Sequence, residues 1–132
     1  MATQVILVRH GVTDWNEQGR LLGRSDVPLN ERGQTQAASA GEAIAGLSPG
    51  AVFSSPQRRT LETAEIVAGA CGLEPQTDER LAEVWLRGWQ GKTFAELHDD
   101  PGRREGRFAL QLHGGQDVEV RVRELSLLKI GG

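Results

Sequence analysis

The sequence predicts an α/β protein, a three-layer α/β/α sandwich with a mostly parallel central sheet. Three observations carry this. Residues 5–8, Val-Ile-Leu-Val, are a short continuous apolar run that ends in Arg9-His10-Gly11, the pattern of a buried strand running into a turn. A second apolar run, residues 51–54, lies between two stretches of helical periodicity. The resulting order of strand, helix, strand, helix is the one that folds as a parallel sheet covered by helices. Residues 5–8 and 51–54 are therefore expected as parallel neighbours joined through the first helix by a right-handed crossover.

Taken in order, the strand at residues 5–8 leads into a loop over residues 16–29, punctuated by Gly19, Gly23, Ser25, Asp26 and Pro28. Arg20 and Arg24 sit in this loop, either as solvated side chains or as extra positive charge near His10. Asn30 is a good N-cap with Glu31 behind it, and Ala37, Ala40, Ile44 and Leu47 fall at helical spacing, so a helix is expected over residues 31–47. Ser48-Pro49-Gly50 ends it, and residues 51–54 form the second strand. The next helix is expected over residues 56–71, with Leu61, Ala64, Val67, Ala68 and Cys71 on its apolar face and Gly72 as the residue just past its end. Residues 73–77 read as a short third strand, and residues 93–98 as one or two helical turns. Residues 99–106, broken by Pro101 and Gly102, read as a surface loop, while residues 108–112 are ambiguous. Residues 118–128 fit either a strand, by the alternation of Val118, Val120 and Val122, or a helix, by Val118, Val122 and Leu125.

Composition bounds the function classes. At 132 residues the chain is one domain on size, and 38% apolar residues with 17 glycines suffice for a core. A net charge of −3 supplies no basic field, so no nucleic-acid partner is expected. The single Cys71 excludes an internal disulfide and suits a reducing compartment. No charged-then-apolar leader and no apolar run near ~18 residues is present, so no secretory signal and no membrane partner are expected, and the cytoplasm is the expected location.

The chemistry concentrates where the first strand ends. In open α/β sheets, ligands bind at the carboxyl ends of the strands. Arg9 brings a permanent planar cation suited to phosphate or carboxylate. His10 brings an imidazole able to act as nucleophile, base or ligand. Gly11 lets the chain turn and a ligand approach. Arg58 and Arg59, in the first turn of the second helix, oppose the helix dipole, so they ask for a compensating anion at a helix N-terminus.

Three blocks, in order, resemble the histidine phosphatase superfamily, which includes the phosphoglycerate mutases. They are Arg9-His10-Gly11 with Thr13 and Asn16; Ser54-Ser55-Pro56-Gln57-Arg58-Arg59 with Thr63-Ala64; and Leu81-Ala82-Glu83 with Gly88-Trp89-Gln90-Gly91. The resemblance covers residues 5–97. It implies a phosphoglycerate mutase-like fold and a hydrolase that cleaves small phosphate monoesters through a phosphohistidine. His10 would be the nucleophile and Glu83 the proton donor, with Arg9, Asn16, Gly23 and Arg59 binding substrate. The family's phosphate-binding Arg lies three residues past the Pro, which selects Arg59 over Arg58. The resemblance implies no metal and no cofactor, and no His, Cys or carboxylate cluster has metal-ligand spacing. The partner would be a small phosphorylated metabolite. Isomerase chemistry of the mutase type and a non-catalytic phosphate-binding remnant are the alternatives.

The resemblance weakens toward the C-terminus. The family carries a second site His before Gly on a later strand. His113-Gly114-Gly115 imitates it, but Gly114-Gly115-Gln116-Asp117 fits better to a Gly-Gly-Glu-Ser-like segment followed by a helix, which makes His113 a loop residue. On that register the chain lacks the family's usual C-terminal portion. The strand at residues 5–8 would then keep an unpaired apolar edge, and such edges recruit partners. The chain is accordingly expected either to form a homo-oligomer through that edge or to be a poorly active, marginally stable monomer.

Overall fold

The computed structural model describes residues 4–98 and the backbone of residues 118–122 and 125–129. The chain forms two compact units, Met1–Pro101 and Gly102–Gly132. In the first, element order is α1 (Asp14–Glu17), α2 (Glu31–Ala45), β1 (Val52–Ser54), α3 (Arg58–Ala70), β2 (Pro75–Thr77), two short 3₁₀ turns (Glu79–Leu81 and Arg87–Trp89) and α4 (Phe94–His98). The second contains β3 (Val118–Val122) and β4 (Leu125–Lys129). The class is α/β with a parallel sheet, as the sequence predicts. The sequence-derived loop at residues 99–106 and the ambiguous residues 108–112 lie outside the described residues.

The helices form for the reasons the sequence offers. The Asn30 side chain accepts from the Gly33 amide at 3.0 Å, capping α2, an interaction typically worth ~1 kcal/mol. The buried stripe of α2 is Gly33, Ala37 and Gly41, at intervals of four, while Leu47 lies beyond the helix and is exposed. This stripe of small residues brings the backbone of α2 close to its neighbours. A Cβ at Gly41 would lie 3.0 Å from the Ala70 Cβ and 3.3 Å from the Val67 Cα, so α2 and α3 touch almost backbone to backbone. From α3, Ala64, Val67 and Ala68 are buried, as are Val27, Leu29 and Leu97. Helix α3 ends at Cys71, and Gly72 follows with φ +68°, the left-handed conformation that favours glycine.

Strands β1 and β2 pair in parallel, Val52 with Pro75 and Ser54 with Thr77, with α3 as the connection. The Asp78 amide continues this ladder to the Ser54 carbonyl at 2.9 Å. The Asp78 carboxylate caps the first 3₁₀ turn and grips Arg80, which holds its pKa down at about 2.

Two expectations are corrected. Residues 5–8 form no strand and do not pair with β1; Val5 and Leu7 are 73% and 81% exposed. An apolar run becomes a strand only where a neighbour supplies the other half of the ladder, and among the described residues β1 pairs with β2 alone. The stretch after Asp117 is likewise no helix. Strands β3 and β4 pair antiparallel, Val118 with Lys129 and Val122 with Leu125. Here the alternation of β-branched residues prevails over the competing helical spacing. Among the described residues, no helix is long and apolar enough to cross a membrane.

Candidate active site

The loop that follows residues 5–8 is fixed before any ligand arrives. Thr13, fully buried, caps α1: its hydroxyl accepts from the Asn16 amide at 3.2 Å, and the Asn16 Oδ1 accepts from the Thr13 amide at 3.0 Å. The Asn16 Oδ1 also accepts from the Thr13 hydroxyl at 3.0 Å. These contacts fix which way the Asn16 amide points and leave its nitrogen as a donor without a partner among the described residues. Asn16, Arg9, His10 and Gly11 line one cleft of about 380 Å³ with Gln36, Ala37 and Ala40 of α2.

Half-buried His10 places Nδ1 2.6 Å from the Gly11 carbonyl oxygen. A carbonyl can only accept, so Nδ1 carries the proton, and in the neutral ring Nε2 keeps its lone pair. Burial lowers the pKa of His10 below its ordinary value, and the charges of Arg59 and Arg9 push it the same way. The hydrogen bond to Gly11 and the charge of Glu83 pull in the opposite direction without reversing the shift.

The two arginines of α3 separate sharply. Arg58 is exposed and finds its compensating anion on its own helix, Glu62, four residues on, at 2.8 Å. Glu62 also accepts from the Leu29 amide at 2.8 Å, tying α3 to the end of the loop that precedes α2. Arg59 is 2% exposed. It donates to the Gly23 carbonyl at 2.8 Å and the Ser25 carbonyl at 3.3 Å, while its buried Nε has no partner among the described residues. A desolvated guanidinium held only by carbonyls and carrying an orphan N–H is a cation prepared for an anion. Burial lowers its pKa, and the charge of Glu83 counters this.

Glu83 lies in the irregular segment after the first 3₁₀ turn. Its amide donates to the buried Gln57 side chain at 3.3 Å, and its carbonyl accepts from Arg24 Nε at 2.7 Å. Its exposed carboxylate accepts from the Val84 amide at 2.9 Å. Arg24 is thus engaged with the Glu83 backbone. Arg20 donates to the Gly91 carbonyl at 2.6 Å and pairs with Glu96 at 3.6 Å.

The structure therefore brings Arg9, Arg59 and Glu83 within electrostatic reach of His10, and Glu83 within reach of Arg59, with Asn16 in the His10 cleft. Gly23, at φ +48°, offers its carbonyl to Arg59 rather than open space to a ligand; a Cβ there would sit 2.7 Å from Gln90 Oε1 and 3.1 Å from Leu86 Cγ. His113 lies outside the described residues. Sequence reasoning gave no role to Thr63, Gln36 or Gln57. Thr63 was within reach, since a residue four positions after Arg59 shares its helix face; the two glutamines carry no such signal.

This arrangement sets two arginines, a side-chain amide and a histidine together on an α/β scaffold. The model of the histidine phosphatase superfamily (branch 1) matches residues 5–125, and the chain belongs to that family. Glucosyl-3-phosphoglycerate phosphatase of Mycobacterium tuberculosis (strain H37Rv) is 38% identical over 133 residues, covering 94% of this chain and 59% of the relative. A probable phosphoglycerate mutase of Salmonella choleraesuis is 48% identical over 117 residues, covering 89% and 53%. Among solved structures, mycobacterial glucosyl-3-phosphoglycerate phosphatase with VO3 matches with a TM-score of 0.67 at 41% identity, over 72% of this chain and 46% of that one. Phosphoserine phosphatase from Entamoeba histolytica with 3-phosphoglyceric acid matches with a TM-score of 0.63 at 36% identity, over 70% and 45%. The chain spans about half the length of the curated relatives it matches.

Proposed function

We propose that this chain carries the nucleophile and phosphate clamp of a phosphatase that hydrolyses small phosphate monoesters through a phosphohistidine. The observation that carries the reading is the His10 Nδ1 contact to the Gly11 carbonyl, which fixes Nε2 as the free lone pair beside two arginines. Phosphoryl transfer needs charge neutralised and the attacking and leaving atoms held in line. Arg59 and Arg9 supply the charge, and the Asn16 amide nitrogen a neutral donor. Nε2 attacks phosphorus, the N–P bond forms and the ester P–O bond breaks, and Glu83 protonates the departing oxygen. In the second step Glu83 takes a proton from water, which attacks phosphorus and frees His10. The lowered His10 pKa supports attack by neutral imidazole.

The substrate class is a small phosphorylated metabolite, and the relatives named above point to phosphorylated three-carbon acids or their derivatives. A mutase, returning the phosphoryl group to a second hydroxyl, is the second reading, favoured by the 48% identity to a probable phosphoglycerate mutase. A cytoplasmic setting is supported by the single cysteine, and neither nucleic acid nor membrane is proposed as a partner. Incubation with a ³²P-labelled phosphate monoester, followed by a rapid acid-free quench, tests the reading. A base-stable, acid-labile label on His10 is expected; no label would leave a non-catalytic phosphate-binding protein. Analysis of phosphoglycerate products separates free phosphate from the transferred isomer.

A further inference from the structure

Gly11 is the most mobile residue type at the most demanding point of the site, yet both peptide units that flank it are held by side chains. The amide of the unit joining His10 to Gly11 donates to Thr63 Oγ1 of α3 at 3.1 Å. The Thr63 hydroxyl passes its own proton to the Arg59 carbonyl at 2.7 Å, and Thr63 is buried. The unit joining Gly11 to Val12 supplies the carbonyl that takes the His10 Nδ1 proton. Its amide, from Val12, donates to Gln36 Oε1 of α2 at 2.9 Å. The α2 backbone closes the third side: a Cβ at Gly11 would lie 2.3 Å from the Gly33 carbonyl oxygen.

We infer that Thr63 and Gln36 are positioning residues for His10, clamping the two peptides around Gly11 so that the Gly11 carbonyl stays aimed at Nδ1 and Nε2 stays unprotonated. A free glycine samples positive and negative φ about equally, so without the clamp the acceptor carbonyl swings away from the ring. Nδ1 then loses the partner that selects its tautomer, and the proton redistributes to Nε2, the atom that must attack. The Gln36 bond acts in a second way, because a peptide whose N–H is engaged is polarised and accepts more strongly at its carbonyl. The Thr63 bond adds coupling: the same hydroxyl touches the backbone of the phosphate clamp Arg59, so nucleophile and clamp move together.

The inference rests on the phosphohistidine reading, but its test does not depend on turnover. Imidazole ¹⁵N spectra of the 132-residue chain report the His10 tautomer directly. The unmodified chain is expected to show one neutral form protonated at Nδ1. Gln36→Met, on the exposed face of α2, and Thr63→Val, isosteric but without the hydroxyl, are each expected to yield a mixture of tautomers. Each should lower kcat on a phosphate monoester about tenfold, with KM changed less than about twofold, because the group lost aims the nucleophile rather than binding phosphate. Thr63→Ser should restore both readouts. A single Nδ1-protonated tautomer in Gln36→Met overturns the inference, as does a Thr63→Ser chain that behaves like Thr63→Val. If Thr63→Val does not fold, the unmodified chain decides: its Thr63 hydroxyl proton must exchange slowly and show an NOE to the Gly11 amide, and absence of that signal overturns the clamp. Failure of the proposed activity shows separately, as no label on His10 of the unmodified chain while its tautomer remains fixed.

Discussion

Three glycine-to-alanine substitutions in the helices should have opposite effects, and their ranking tests the close approach that fixes the His10 loop. Each gains helix propensity, up to about 0.8–1.0 kcal/mol in a helix interior and less at Gly33 and Gly69, which lie in a first and a last turn. What differs most is what the new methyl meets. At Gly69 it meets nothing within 4 Å, so Gly69→Ala should stabilise by about that propensity gain. At Gly41 it lies 3.0 Å from the Ala70 Cβ and 3.3 Å from the Val67 Cα, a few tenths of an ångström too close, so the gain and the repacking cost should nearly cancel. At Gly33 it lies 2.1 Å from the Val12 carbonyl oxygen, where ordinary contact begins near 3.4 Å, so one backbone must move by about 1.3 Å. Overpacking typically costs about 1–3 kcal/mol, and against rigid backbone the upper part of that range applies. Gly33→Ala should therefore destabilise by about 1–2 kcal/mol net, leaving it some 2–3 kcal/mol below Gly69→Ala. With urea m-values of about 1–3 kcal/mol/M, the two unfolding midpoints should differ by about 1 M or more. Because Val12 shares a peptide with Gly11, a displacement near 1 Å should also cut turnover about 100-fold in Gly33→Ala and leave Gly69→Ala unchanged. Equal midpoints for Gly33→Ala and Gly69→Ala, or full activity in Gly33→Ala, would refute the account.

The other expectations can be checked on the same protein. His10→Ala should form no acid-labile, base-stable phosphoenzyme, read by autoradiography after mild quenching. Arg59→Ala should weaken inhibition by inorganic phosphate about 10- to 100-fold, whereas Arg58→Ala, which breaks only an exposed pair with Glu62, should change it less than about twofold. Turnover should persist as pH falls through 6.5 and drop only below it, because burial and then the charges of Arg59 and Arg9 lower the His10 pKa. For stability the sign follows: between the lowered folded value and 6.5 the unfolded chain binds the extra proton, so the contribution of neutral His10 is complete above 6.5 and is lost as pH falls toward the folded value. This is checked by urea midpoints at several pH values, with His10→Gln as the control. Exposure of Val5 and Leu7 predicts concentration-dependent self-association by light scattering, reduced by Leu7→Lys.

Local signals read from the sequence translated well into structure where one residue dictates one interaction. Asn30 caps α2, Gly72 follows α3 at positive φ, and residues 73–77, read as a short third strand, contain β2. Longer-range outcomes were less legible. Whether residues 5–8 become a strand depends on a neighbour, which their own apolarity cannot specify. The end of the chain shows the converse: Val118, Val120 and Val122 satisfy two periods at once, and only pairing with Leu125–Lys129 selects the strand.

In the site, residue types were legible while the supporting framework was not. Arg9 and His10 stand out in the sequence because one offers a charge and the other a lone pair. Arg59 was separated from Arg58 by the family resemblance, which counts three residues past Pro56, and the structure gives that separation a physical content, one guanidinium buried on carbonyls and the other exposed on a carboxylate. Thr63, Gln36 and Gly33 instead act through the backbone of Gly11 and Val12, and a backbone contact has no side-chain chemistry to advertise it. They lie 21 to 52 positions from the loop residues they hold, on the two helices that the Gly41 contact draws together. The small-residue stripe that looks like simple packing is thus what lets α2 and α3 reach the same glycine. Close helix packing and the orientation of His10 become one constraint, which is why the stability and activity of Gly33→Ala are expected to fall together.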